Sequence, residues 1–163
     1  MALIVGTDSF ASLEEAAAHN AAHPFGAAWG ADSLTDAERE TYARLATRLL
    51  NDTVRWRCRA STETQVLVFP AQDLVSLTGR LIPNTEIPVE IVRATSELSR
   101  RLVNNSALLD DQELEVLDIR RSGRTNFGGG AIRKPIPDAV MDYIPNDWYE
   151  NVYDSVVRIE RGF

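Results

Sequence analysis

The sequence predicts a mainly α-helical fold: a small bundle of about four helices with a short β-hairpin or loop insertion and an extended C-terminal tail. Three observations predict it. Two capping boxes open helices, apolar residues recur at helical spacing in two stretches, and proline and glycine punctuate the rest. At 163 residues the chain reads as one domain, a bundle over 1–147 followed by a docking tail over 148–163.

The elements follow in order. The apolar run at 2–5 reads as a short strand; it lacks the basic flank and the length of a signal peptide. Ser12, with Glu15 three residues on, forms a capping box, in which the hydroxyl accepts from a free helical N–H and the carboxylate reaches back to the cap. That helix runs to about Ala22 and is ended by Pro24 and Gly26. Thr35 and Glu38 form a second box. Behind it Tyr42, Leu45, Ala46, Leu49 and Leu50 make one apolar stripe, and Arg39, Arg44 and Arg48 lie off it. This helix is expected to end near Asp52. Residues 60–88 carry no helical period and read as irregular, with Gln65–Phe69 a short apolar run closed by Pro70.

Pro88 suits the first turn of a third helix, where its missing N–H would have no partner anyway. Ile91, Ala94, Thr95, Leu98 and Leu102 form the buried stripe, and Glu90/Arg93 and Glu97/Arg101 are spaced for surface ion pairs. Asn104 and Asn105 stop it. Residues 113–133 read as the hairpin or loop insertion, with Leu114 and Val116 alternating with polar residues before Gly128–Gly130. Pro137 and Asp138 begin a last short helix to about Tyr143, stopped by Pro145.

Composition excludes several function classes. The net charge is −7, against the basic surface that a dedicated DNA binder carries. No apolar run is long enough to span a bilayer, so no membrane partner is expected. Cys58 is the only cysteine, which leaves no disulfide within the chain. Lys134 is the only lysine. That preference for arginine fits a GC-rich genome, and forked guanidinium groups also suit interfaces.

No chemistry survives comparison with a plainer reading. His19 and His23 lie one helical turn apart, but a zinc site needs more ligands, and exposed or capping histidines are the simpler account. Cys58 sits among Arg55, Arg57 and Arg59, yet no base stands near it in sequence, so a buried structural thiol is expected. Asp110, Asp111, Glu113 and Glu115 read as a solvated acidic turn. Gly128–Gly130 lacks the spacing of a phosphate loop. No catalytic residue, metal or cofactor is expected, and the chain reads as not an enzyme.

Two groups of residues remain as binding candidates. Arg55, Trp56, Arg57 and Arg59 interleave cation with aromatic, as single-strand binders do, although Trp56 could equally close the core. Arg120, Arg121, Arg124 and Phe127, with Trp148, Tyr149, Tyr153, Val157, Ile159 and Phe163 of the apolar tail, are the candidate docking residues for a neighbour or partner.

The order of short motifs is similar to one known family. These are Trp29, Thr35–Glu38, Ala46–Leu50, Trp56-Arg57, Gln65–Pro70, Ile87-Pro88 and Ala94–Leu98 with Leu102, after an opening over Gly6–Ala16. Together they resemble the phage family often labelled DnaT-like single-stranded-DNA-binding protein, whose members resemble head–tail connector adaptors. The likeness covers residues 1–105 and loosens from 106. The family more often shows Trp-Pro-Arg where this chain has Phe69-Pro70-Ala71, and Trp-Lys-Gly at Trp56-Arg57-Cys58. The resemblance implies a virion protein of the head–tail neck, held in the host cytoplasm before assembly. It implies a homo-oligomeric ring, a dodecamer, meeting the portal protein on one side and a stopper or tail-completion protein on the other. The genome would pass through its channel without specific binding. At −7 per copy, twelve copies would carry about −84, a charge that repels phosphates and lets DNA slide. The alternative is a single-stranded-DNA-binding protein in phage replication.

Overall fold

The computed structural model describes residues 3–76, 78–104 and 136–150. Among these, four helices and one two-stranded sheet form: α1 (Leu13–Ala21), α2 (Asp36–Thr53), β1 (Arg59–Ala60), β2 (Ala71–Gln72), α3 (Val89–Asn104) and α4 (Asp138–Met141). The mainly helical reading holds. None of the described helices is long and apolar enough to cross a membrane.

Both capping boxes form. Glu15 N–H donates to Ser12 Oγ at 3.2 Å and Ser12 N–H to the Glu15 carboxylate at 2.8 Å. The Thr35/Glu38 box repeats this at 3.3 and 2.8 Å. These reciprocal bonds hold the Glu38 carboxyl below its ordinary range, with the Thr35 backbone N–H the largest cause. A depressed carboxylate stabilises above its unfolded pKa and loses that contribution as pH falls through the folded one. Thr35→Ala is expected to cost about 1 kcal/mol and to lower Tm by about 2–4 °C. An unchanged melting curve by circular dichroism would mean that the box does not hold α2.

α3 is the central element and packs against α1, α2 and α4. Its predicted stripe, Ile91, Ala94, Thr95, Leu98 and Leu102, is fully buried. The stripe of α2 is turned slightly from the expected one. Ala43, Ala46, Thr47 and Leu50 are buried, whereas Tyr42, Leu45 and Leu49 are only partly so. Thr47 is inside because it has polar work there. Its hydroxyl accepts from Phe10 N–H at 3.0 Å and lies 3.2 Å from Ser9 Oγ, fastening the chain before α1 onto α2.

Residues 60–88 are better ordered than their sequence suggests. β1 and β2 pair antiparallel, Arg59 opposite Gln72 and Ala60 opposite Ala71. Leu67 and Phe69 of the apolar run enter the core, while Val66 stays exposed. Phe69–Pro70 is a cis peptide. Gly26 is required by space: a methyl group there would sit 1.8 Å from the Asn20 carbonyl oxygen.

Three expectations need correcting. Residues 3–5 form no strand; Val5 makes only an isolated bridge to Ser9, because Gly6, at φ 83, turns the chain back. Glu97 and Arg101 do not make a surface pair, since Glu97 is 2% exposed. Glu90/Arg93 is not among the ion pairs of the described residues. The hairpin expected at 113–133, the glycine triplet and Asn105 lie outside the described residues.

Candidate docking and nucleic-acid interface

The segment after α2 carries the arginine–aromatic motif. Strand-like alternation sorts it. Arg55, Arg57 and Arg59 are exposed, while Val54, Trp56, Cys58 and Ala60 are half-buried. Trp56 meets Phe69 edge-to-face with centroids 4.8 Å apart, and its indole N–H donates to the Leu50 carbonyl at 3.3 Å. The ring that could have stacked on a base is thus turned mostly toward the core.

The backbone beneath is pinned by a segment distant in sequence. Arg57 N–H donates to the Trp148 carbonyl at 2.8 Å, and Glu150 N–H to the Arg55 carbonyl at 2.8 Å. Trp56 and Tyr149 form the bridge between these bonds. Trp148 itself is 3% exposed, and its indole N–H donates to the Val75 carbonyl at 2.9 Å. The expectation of a docking tail that begins at Trp148 is therefore corrected at its first two residues. Trp148 is core, and Tyr149 packs against it, because the irregular 54–75 region leaves a hollow that only a large ring from elsewhere fills. Tyr153, Val157, Ile159 and Phe163 lie outside the described residues, as do Arg120, Arg121, Arg124 and Phe127.

A cleft of about 440 Å³ opens beside the arginines, lined by Arg57, Cys58, Arg59, Gln72, Asp73, Leu74, Val75, Asp147 and Trp148. Burial raises the Cys58 thiol above its ordinary value. At neutral pH it is a thiol, not a nucleophilic thiolate, which agrees with a structural role.

A second cluster escaped the sequence reading. Glu97 takes Arg100 Nη2 at 2.5 Å and Arg101 Nε at 2.7 Å on one oxygen, and Arg100 Nε at 3.2 Å on the other. Burial pushes its carboxyl up, but the guanidinium groups outweigh burial and hold it below the usual range. The Nε2 atoms of His19 and His23 lie 3.6 and 3.8 Å from Glu97 Oε2. Both distances are too long for hydrogen bonds. Burial lowers the His19 pKa, partly opposed by Glu97. Arg100 also reaches the Phe25 carbonyl at 3.4 Å, and the His19 ring meets Tyr143 edge-on at 5.5 Å.

Two histidines and a carboxylate converge here, but the carboxylate is already occupied by two cations. Among the described residues no group of three or more ligands is arranged to hold a metal. The cluster ties α1 and the loop after it to α3. Its signal in the sequence was faint: the small residues Ser96 and Ser99 flank Glu97, so the nominally polar face of α3 could be covered closely.

A family model described as "Putative DnaT-like ssDNA binding protein" matches residues 1–122. The chain belongs to this family. The match includes α1, α2, β1, β2 and α3, and ends before α4 and Trp148. The DnaT-like region therefore holds the arginine row and the Glu97 cluster, while the aromatic plug that pins the row comes from beyond it. No curated protein matches, and no solved structure does.

Proposed function

We propose that this DnaT-like family member is a non-enzymatic structural subunit, a head–tail connector adaptor that assembles as a ring between portal and stopper of a tailed phage. The observation that carries the reading is the direction of Trp56. Trp56 is half-buried and packs edge-to-face on Phe69, so most of its ring is turned from the exposed Arg55, Arg57 and Arg59. Single-strand binders combine a basic groove with stacking rings. An acidic molecule with a short outward strip of arginines is better suited to docking on a protein of complementary charge. The exposed apolar side chains Phe25, Val66 and Leu81 add further surface of the kind that assembly covers.

The second reading is single-stranded-DNA binding in replication. The family description favours it more directly than the connector role, and no comparison supports a connector family. Two measurements separate the readings. Mass spectrometry of purified virions is expected to find the chain at a stoichiometry equal to or near that of the portal. Labelled oligonucleotide is expected to bind weakly in a salt series. Absence from virions, together with tight oligonucleotide binding that falls steeply with salt, would replace the first reading with the second.

A further inference from the structure

The turn after α1 holds a contact that one protonation state of a histidine makes and the other cannot. Phe25 N–H donates to His23 Nδ1 at 3.1 Å. A backbone N–H only donates, so Nδ1 carries the lone pair, and in the neutral ring the proton sits on Nε2. That Nε2 faces the buried Glu97 carboxylate at 3.8 Å. The ends of the turn are braced separately. His23 N–H donates to the Asn20 carbonyl at 3.1 Å, Gly26 N–H to the His23 carbonyl at 2.9 Å, and Trp29 N–H to the Gly26 carbonyl at 3.0 Å. Pro24 has no N–H to contribute, so the middle of the turn is tied through Phe25. The Phe25 carbonyl takes long contacts from Arg100 at 3.4 Å and Asn104 at 3.5 Å. Its ring is 71% exposed and tilts against the His23 ring at 5.8 Å.

We infer that His23 is a proton-operated latch: neutral, it holds Phe25 in the turn, and protonated, it lets the Pro24–Phe25 segment swing free. An imidazolium carries a hydrogen on both nitrogens. Two N–H groups would then meet where the 3.1 Å bond now lies, and the contact turns repulsive. The His23 side chain is 24% exposed, so a proton reaches it from solvent. The charged and titratable groups around it come from three elements. These are Glu97, Arg100 and Arg101 of α3, His19 of α1, and Tyr143 beyond α4, which meets the His19 ring. With both imidazoles neutral, two guanidinium groups against one carboxylate leave this cluster at +1. A proton on His23 adds charge of the same sign. Glu97 still attracts the imidazolium, so the ring stays on its side and the Phe25 end of the bond gives way. The latch is therefore closed at high pH and opens as pH falls. It concerns the turn that presents Phe25 and does not depend on the ring reading.

Amide exchange of the full chain, followed by nuclear magnetic resonance at pH 8 and pH 5, tests it, since these values bracket the range in which histidines titrate. The Phe25 protection factor, which divides out the intrinsic pH dependence of exchange, is expected to fall about five- to tenfold at pH 5, the share of one ordinary hydrogen bond. Circular dichroism checks that the helices persist. His19→Phe is expected to show the same fall, which removes His19 as its cause. The His23 variants are read in that background as well. His23→Asn offers a carboxamide oxygen in place of Nδ1 and does not titrate, so its Phe25 amide should stay protected at both pH values. His23→Phe offers no acceptor, and its Phe25 amide should be unprotected at both. Protection that is insensitive to pH in the unsubstituted chain overturns the latch. So does an equal fall in His23→Asn, or loss of the response in His19→Phe. Imidazole nitrogen shifts give a check that needs no variant: His23 Nδ1 found protonated at pH 8 would overturn the latch outright.

Discussion

Replacing Phe69 with alanine is expected to cost about 3–5 kcal/mol, the usual range for a large aromatic removed from a core. The expectation rests on position. Phe69 is 0% exposed and is met by three rings: Phe10 at 5.5 Å, Trp56 at 4.8 Å and Trp148 at 6.4 Å. Those rings come from before α1, after α2 and after α4. Each is fixed by a hydrogen bond of its own: Phe10 N–H to Thr47, and the two indole N–H groups to the Leu50 and Val75 carbonyls. The surroundings therefore collapse poorly into the vacated space, which places the cost toward the upper end of the range. A domain of ordinary stability, about 5–15 kcal/mol, would lose a large share of it. Urea unfolding followed by tryptophan fluorescence reads this directly, since two of the three neighbours are tryptophans. A loss under about 1 kcal/mol would show that Phe69 does not organise the core. The arginine row stands on the same framework, so the variant should also weaken any docking made there.

Glu97→Ala is expected to be about as damaging, near 3–5 kcal/mol, for an electrostatic reason. Arg100 is 4% exposed. Without Glu97 it would keep, among the described residues, only the Phe25 carbonyl, and a buried cation would stand without its carboxylate beside His19 and His23. Glu97→Gln keeps the acceptor oxygen and should recover part of the loss, which separates charge from shape. Thermal unfolding of both variants checks this, and equal losses would mean that the charge is irrelevant. The pH dependence carries the same information. The depressed Glu97 carboxyl stabilises above its unfolded pKa and loses that contribution as pH falls through its folded value. His19, whose pKa is lowered by burial, is held neutral in the fold. As pH drops below the ordinary histidine value of 6.5, the unfolded chain takes up that proton first and stability falls. Acid should thus loosen α1 from α3 before it reaches the carboxylates. In His19→Phe the earlier of these two losses should be absent.

Local physics made α1, α2 and α3 legible before any coordinates. A capping box is a contact between residues three apart, and an apolar stripe is a property of one helix, so both are written within a short window. Alternation alone also suggested that Arg55, Arg57 and Arg59 face away from Trp56 and Cys58, and the arginines are exposed where those two are half-buried. The Glu97 error has the opposite cause. Glu97 with Arg101 has the spacing of an exposed pair, and nothing within the helix tells that α1 and the turn at His23–Phe25 cover it. Trp148 was misread for the same reason, since an apolar residue beyond the last helix resembles surface until the hollow it fills is known.

The sequence by itself determined that this chain is a small helical bundle of the DnaT-like family, and where its helices begin. These follow from contacts local in the chain and from the order of short motifs. Only the tertiary structure decided that α3 is buried on its charged side and that Trp148 belongs to the core. Those outcomes depend on segments tens of residues apart meeting in space. Glu97 sits more than seventy residues from His23, and Trp148 is separated from Val75 by 73 positions. No periodicity within either segment encodes its partner.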